Sequence, residues 1–348
     1  MNIAQIDQAL CMRHNDMVTC APCMAFFVFL DHTEPEVVLD FYHKVREALG
    51  SLITHVSKGK GFTKLNKRSE TTVEGWCKAL KSWQKHNYWV SFSGADKSVT
   101  DAQLNIQVLH RNLKALSKAD EQYIRNDWTR KLEVNPDAYS LPCTNFRVTF
   151  PLNHALAQPQ AFKAWILSLQ AIADWPFVYA SAGLSFNYAH WASDAQINRG
   201  LMNHVPSIMR RYPGLDFQLP YNALLLRYHR EWIEQHDYLL PLIGRSNWLT
   251  AVNISCLDFM GGSGTVKTRL QQHPNITVDT LAQGLLVQAG EEPLLGDVEV
   301  PESLNVYRQV AGVLQPGRIP FNKLMRKTFL SPEVLEEWWY ALDADTSE

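Results

Sequence analysis

The chain has 348 residues, 46% of them apolar and 20% charged, with a formal net charge of -2. That composition is ordinary for a soluble globular protein and excludes a disordered chain, while the length allows one large domain or two packed halves. A nearly neutral balance leaves no electrostatic footprint for nucleic acid, and no apolar run approaches the roughly 20 residues of a membrane span.

Residues 1 to 20 read as a helical or loosely held lead-in without the basic-then-apolar layout of a signal peptide, which predicts a cytoplasmic protein. Six cysteines in a chain this long do not make a secreted disulfide framework, so reduced thiols are expected. Met24 to Leu30 is an unbroken apolar run of strand length, the pattern of a strand buried on both faces. Thr33 as N-cap, Pro35 in the first turn and Val37, Val38, Phe41, Val45 and Leu49 at helical spacing predict a helix that Gly50 stops. Leu52 to Val56 predicts the returning strand.

Between Lys58 and Lys85 the chain carries Lys58, Lys60, Lys64, Lys67, Arg68, Lys78, Lys81 and Lys85 against Glu70 and Glu74. This predicts a basic loop leading into a helix with Trp76, Leu80 and Trp83; the face is either simply solvated or, were its lysines focused on one surface, able to contact phosphate. Tyr88 to Ser93 and Leu104 to Leu109 alternate as half-exposed strands around a turn at Gly94-Ala95-Asp96, and Leu113 to Asp137 is polar and partly helical in pattern.

A second strand, helix, strand passage follows: Phe146 to Phe150, a helix opened by Gln158-Pro159 and carrying Phe162, Trp165, Ile166 and Leu169, then Phe177 to Tyr188. Asp194 to Arg211 and Tyr221 to Glu234 predict helices separated by a turn at Tyr212-Pro213-Gly214. A third passage runs from Asn247 to Gly290, with a helix broken at Gly261-Gly262 and two closing apolar runs. Leu304 to Leu314 predicts a short helix, and Ser331-Pro332-Glu333 opens a last one ending in Trp338-Trp339-Tyr340. The recurrence predicts an α+β fold of repeated strand-helix-strand layers, with mixed or antiparallel sheets packed against helices. An N-terminal half over 1–140 and a C-terminal half over 141–348 are expected to pack as one body.

Several segments together carry a resemblance to a family: Asn247-Trp248-Leu249-Thr250, Gly261-Gly262, Gln288-Ala289-Gly290, the Pro293 to Gly296-Asp297 turn and Tyr307-Arg308. Pro176 to Gly183 and Arg211-Tyr212-Pro213-Gly214-Leu215-Asp216 fit the same pattern. Over roughly residues 20 to 320 the chain resembles TsiV, the type VI secretion immunity proteins that neutralise VRR-Nuc DNase effectors. The resemblance implies a protein that is not an enzyme and has no cofactor or metal of its own. It would bind the effector as a 1:1 heterodimer, without touching nucleic acid or membrane, and occlude its DNA-binding and active site.

Other readings stay open beside it. Cys11, His14, Cys20 and Cys23 could be zinc ligands, although Cys23 enters a buried run; a zinc-dependent enzyme would need them organised. His229 and His236 stand seven residues apart with Glu231 two after the first, which is not the metalloprotease spacing. Gly261-Gly262-Ser263-Gly264-Thr265-Val266-Lys267-Thr268 has Val266 where a phosphate loop needs glycine, and Gly262-Ser263-Gly264 lacks the spacing of a nucleophile elbow. Asp194, Asp216, Asp258 and Asp279 sit in different elements, so no acid/base couple can be named. An adaptor or chaperone that delivers an active effector is a third possibility.

For the contact surface, charge is the remaining guide. Glu291, Glu292, Asp297, Glu299 and Glu302 lie in a turn-rich stretch without lysine or arginine, and Glu336 and Glu337 flank Trp338 in the acidic last helix. Acidic stretches are commonly there for solubility. Against a nuclease, which must present a positive cleft, they would also steer association and compete with DNA, with Trp338, Trp339 and Tyr340 either as aromatic anchors or as the core face of the last helix.

Overall fold

The structure, a computed structural model, describes residues 3–14, 17–30, 35–57, 62–67, 88–94, 103–109, 143–174, 177–188, 195–216, 243–319, 321 and 330–343. In chain order these hold α1 (Ile3–Leu10), β1 (Met12–His14), β2 (Met17–Leu30), α2 (Pro35–Leu49), β3 (His55–Ser57), β4 (Phe62–Lys64), β5 (Tyr88–Ser93) and β6 (Gln103–Leu109). Then come β7 (Cys143–Pro151), α3 (Pro159–Ser168), α4 (Gln170–Ala173), β8 (Phe177–Tyr188), α5 (Ala195–Arg211), β9 (Leu249–Asn253), α6 (Ile254–Phe259) and α7 (Ser263–Gln271). β10 (Ile276–Leu281), β11 (Gly284–Ala289), α8 (Asn305–Leu314) and α9 (Pro332–Tyr340) complete the series. Thr33, the helix expected around Trp76, the 113–137 stretch, Asp194, the 221–234 helix with His229 and His236, and most of the lysines of 58–85 lie outside the described residues.

All eleven strands join one sheet in the order β10-β11-β9-β8-β2-β7-β6-β5-β3-β4, with β1 paired to β2. Every ladder is antiparallel. The fold is α+β, and the three strand-helix-strand passages enter this sheet with different neighbours. β7 and β8 flank β2, three strands separate β2 from β3, and β9 pairs with β11. β2 is 14 residues long, twice the expected run, because Thr19, Cys20 and Ala21 continue it under cover.

Register explains the layering. Directly paired residues share a face of a sheet, and one row reads Val56, Phe92, Leu104, Val148, Phe26, Ala182, Leu249, Gln288, Thr277 across nine strands. Its apolar part is roofed by α2 and α3, whose buried faces are Val37, Val38, Phe41 and Val45 on one and Phe162 and Ile166 on the other. Phe41 stacks on Phe146 at 4.3 Å between centroids, and Trp165 sets its edge or face against Phe150 at 5.1 Å and Phe26 at 6.1 Å. The opposite face is buried but polar: Ser57, Ser91, Arg147, Ser181 and Thr250 share one row, and Ser93, Gln103 and Thr149 the next.

Local signals end the elements as expected. Gly50 takes φ +47° after α2, the break between α6 and α7 uses Gly261 and Gly262 at φ +97° and +96°, and Ser331 caps α9 by accepting from the Val334 amide. Among the described residues no helix is long and apolar enough to cross a membrane. Phe26 sits at the centre of the aromatic roof with 1% exposure, so Phe26→Ala is expected to cost about 3–5 kcal/mol of unfolding free energy. Urea denaturation of the two proteins measures the difference.

Candidate partner-binding surface around the turn after β11

The segment from Gly290 to Ser303 is irregular, yet it is held from many sides. Gln288 closes β11 at 6% exposure, and its amide group donates to the Gly290 carbonyl at 2.9 Å and to that of Glu291 at 3.4 Å. Its Oε1 accepts from Lys163 of α3 at 2.7 Å and from Thr277 at 3.3 Å. Trp248, fully buried, donates Nε1–H to the same Gly290 carbonyl at 3.2 Å, and the Gly290 amide donates to Asn275 at 2.8 Å. Gly290 itself adopts φ +81°, a conformation that suits glycine.

Further along, Tyr307 of α8 clamps Leu294: its hydroxyl accepts from the Leu294 amide at 2.9 Å and donates to the carbonyl at 3.3 Å. The turn after α5 packs directly on this stretch. Gly214 donates to the Leu295 carbonyl at 2.8 Å, and a Cβ on Gly214 would lie 2.6 Å from the Leu294 carbonyl oxygen, so no side chain fits there. Arg211 then ties the far end, through Asp297 at 3.1 Å and Glu299 at 2.7 Å, while Asp297 accepts from the Glu299 amide at 3.0 Å.

The expected contact residues therefore fall into three groups. Glu291, Glu292, Glu302 and Glu336 are exposed and have no cationic partner among the described residues. Asp297, Glu299 and Glu337 are engaged, the last with Arg210 at 2.6 Å, so the two C-terminal arginines of α5 offset part of the acidic field. The Asp297 side chain is only 12% exposed and works chiefly as a brace. Of the two readings of Trp338, the structure has the core-facing one and not the surface anchor. It is 3% exposed, because helical spacing turns it inward with Val334 and Leu335, and Arg245 lies 4.3 Å over its ring.

That arginine is the centre of a buried polar cluster that sequence reasoning missed. Burial pushes the Arg245 guanidinium down to about 9, with Asp216 the strongest opposing influence; it remains charged at neutral pH. Asp216 accepts from Ser181 of β8 at 2.8 Å, and Tyr179 donates to the Arg245 carbonyl at 2.5 Å. Asn247 beside it leaves no room for a Cβ at Gly183. Asp279 pairs with Lys163 at 2.6 Å and Asp258 is exposed on α6, so the scattered carboxylates do not assemble into an acid/base couple among the described residues.

Cys20 and Cys23 lie three residues apart on β2, hence on opposite faces of the sheet. Burial pushes the Cys23 thiol up to about 12 and Cys20 well above the ordinary range. No group of three or more His, Cys, Asp or Glu side chains among the described residues is placed to hold a metal ion.

Two clefts open on either side of the turn. One, of about 530 Å³, is lined by Asn275, Thr277, Gln288, Glu291, Glu302 and Asn305 among others, between the β10–β11 hairpin and α8. The other, of about 510 Å³, is lined chiefly by residues of apolar type, with Gln158 and Glu292 among them.

Trp248, Gln288 to Gly290, the turn from Pro293 to Asp297, Tyr307 and the Arg211 to Gly214 stretch, which meet here, all belong to segments that carried the resemblance. The model of the family described as TsiV, type VI immunity for VRR-NUC, matches residues 40–333. The chain belongs to the TsiV family. Among solved structures it is similar to the Pseudomonas aeruginosa T6SS protein PA0821, at 16% identity and a TM-score of 0.66, covering 96% of this chain and 85% of that one. At that identity the likeness concerns the fold. No curated protein matches the chain.

Two outcomes follow for this TsiV protein. Gln288→Leu removes the bonds that fix Gly290 and Glu291, and it is expected to lower stability by about 1–3 kcal/mol and to speed amide exchange across residues 290 to 295, read by mass spectrometry. Of Cys11, Cys20, Cys23 and Cys256, the half-buried Cys11 is expected to be alkylated first in the native protein. The other three should label only on unfolding, as peptide mapping would reveal.

Proposed function

We propose that the protein is an immunity factor that binds its cognate VRR-Nuc nuclease and blocks it by covering the DNA-binding face and active site, without chemistry of its own. The observation that carries the reading is the coincidence of two things. The family match spans residues 40–333, and within that span Trp248, Gln288 and Tyr307 brace one acidic, turn-rich stretch. A nuclease has to offer cations to phosphate, so carboxylates carried on a braced backbone compete with DNA for the same groups. Of the expected contact residues, Glu291, Glu292, Glu302 and Glu336 are carboxylates without an ion pair among the described residues.

Rigidity matters to the affinity that this role demands. Side chains and backbone that are ordered before association lose little entropy on binding. Acidic steering raises the rate of encounter and makes it fall as salt rises. The complex would be a 1:1 heterodimer formed in the cytoplasm, any catalytic metal belonging to the nuclease.

The decisive experiment is plasmid cleavage by the cognate nuclease with the protein titrated from below to above equimolar. Cleavage is expected to vanish at about one inhibitor per nuclease, and Glu291→Lys with Glu302→Lys to weaken inhibition at least about tenfold. Binding that leaves cleavage intact would refute occlusion and identify an adaptor instead.

A further inference from the structure

We infer that the apolar cleft beside Glu292 is the socket for one apolar side chain on a loop of the nuclease. A neighbouring basic residue of that loop reaches across the turn to Glu291 and Glu302. The inference rests on the immunity reading above and specifies where and how the partner docks.

The cleft is built on the middle of the sheet. Met24 of β2 and Leu184 of β8, direct register partners, line it at 1% and 3% exposure. Ile6 of α1, Leu152 and Ala157 contribute further apolar lining, and Gln158, Pro159, Glu292 and Pro293 complete it. At about 510 Å³ it exceeds what one large side chain needs, and among the described residues that line it all but Gln158 and Glu292 are of apolar type, so its surface is mixed with the apolar part the larger. Glu292 is exposed there and has no cation among the described residues.

Charge complementarity chooses the occupant. On the other side of the same turn, Glu291 and Glu302 line the polar cleft, equally without a cation among the described residues. Glu291 and Glu292 are adjacent in the chain, and one lines each cleft, so two carboxylates, unpaired among the described residues, stand where the clefts come closest along the backbone. A second copy of this chain would bring the same negative pair and be repelled. A protein evolved to grip DNA brings lysine and arginine, and an apolar residue next to one of them fills both hollows at once. A well-packed anchor surrounded by matched charge is the arrangement in which a few residues dominate binding.

Gln158→Trp and Glu292→Lys test this in the full-length protein. Gln158 is exposed and makes no side-chain cap bond, so tryptophan can occupy the cleft without disturbing α3. Affinity for the catalytically inactivated nuclease would be measured by calorimetry, with Asp258→Lys, outside both clefts, as the control and thermal melting as the check on folding. Each cleft variant is expected to raise Kd about tenfold or more with an unchanged melting temperature, and the control to bind as the parent does. Parental affinity in both cleft variants would overturn the socket while leaving the inhibitor reading standing. Self-association of the parent that Gln158→Trp abolishes would assign the cleft to a second copy and overturn it too. Failure of the parent protein to bind the nuclease at all would overturn the reading beneath both.

Discussion

The architecture depends on β2 having no free edge and no wet face. Each of its edges carries a long antiparallel partner, β7 on one side and β8 on the other, and residues from Cys20 to Leu30 are buried. Its even-numbered residues anchor the aromatic roof under α2 and α3, while its odd-numbered ones face the polar layer. Each flank of the sheet is hydrogen-bonded outward from this strand, so its register fixes which residues of β9 and β11 face the roof. Gln288 sits where it does because the row that begins at Phe26 reaches it through Ala182 and Leu249.

That row links the core to the acidic turn. Apolar residues fill it over seven strands, and it ends at the sheet edge in Gln288 and Thr277, which need polar partners. Lys163 from the roof supplies one and the Gly290 and Glu291 carbonyls supply the others. The same side chain that terminates the core therefore shapes the loop, and Tyr307 and Gly214 fix the next turn from two further elements.

Much of this was legible in the sequence, and the boundary is physical. An unbroken apolar run such as Met24 to Leu30 announces a two-faced buried strand, and the spacing of Val37, Phe41 and Val45 announces α2, because both patterns are local. Sheet order is not local: the β2–β3 passage reads like a repeat of β7–α3–β8, yet β3 lies far from β2. The seven carboxylates among the expected contact residues stand out by charge along the chain, which cannot reveal that Arg210 and Arg211 come from α5 to meet Asp297, Glu299 and Glu337. Trp338 stays ambiguous in the sequence for a similar reason, since a tryptophan beside glutamates faces inward or outward according to helix phase. Arg245 carries no local mark of its burial. The adjacent polar segment Arg245-Ser246-Asn247 ahead of an apolar strand, unusual for a buried entry, was the one available hint.

The brace around the turn acts almost wholly on main-chain atoms: the carbonyls of Gly290, Glu291 and Leu294, and the amide of Leu294. Glu291, Glu292 and Glu302 are exposed side chains hung on that frame. Replacing them removes no bond that shapes the turn. If the proposed role holds, side chains on this frame can be exchanged one by one, and what the surface binds can change while the scaffold that presents it stays constant.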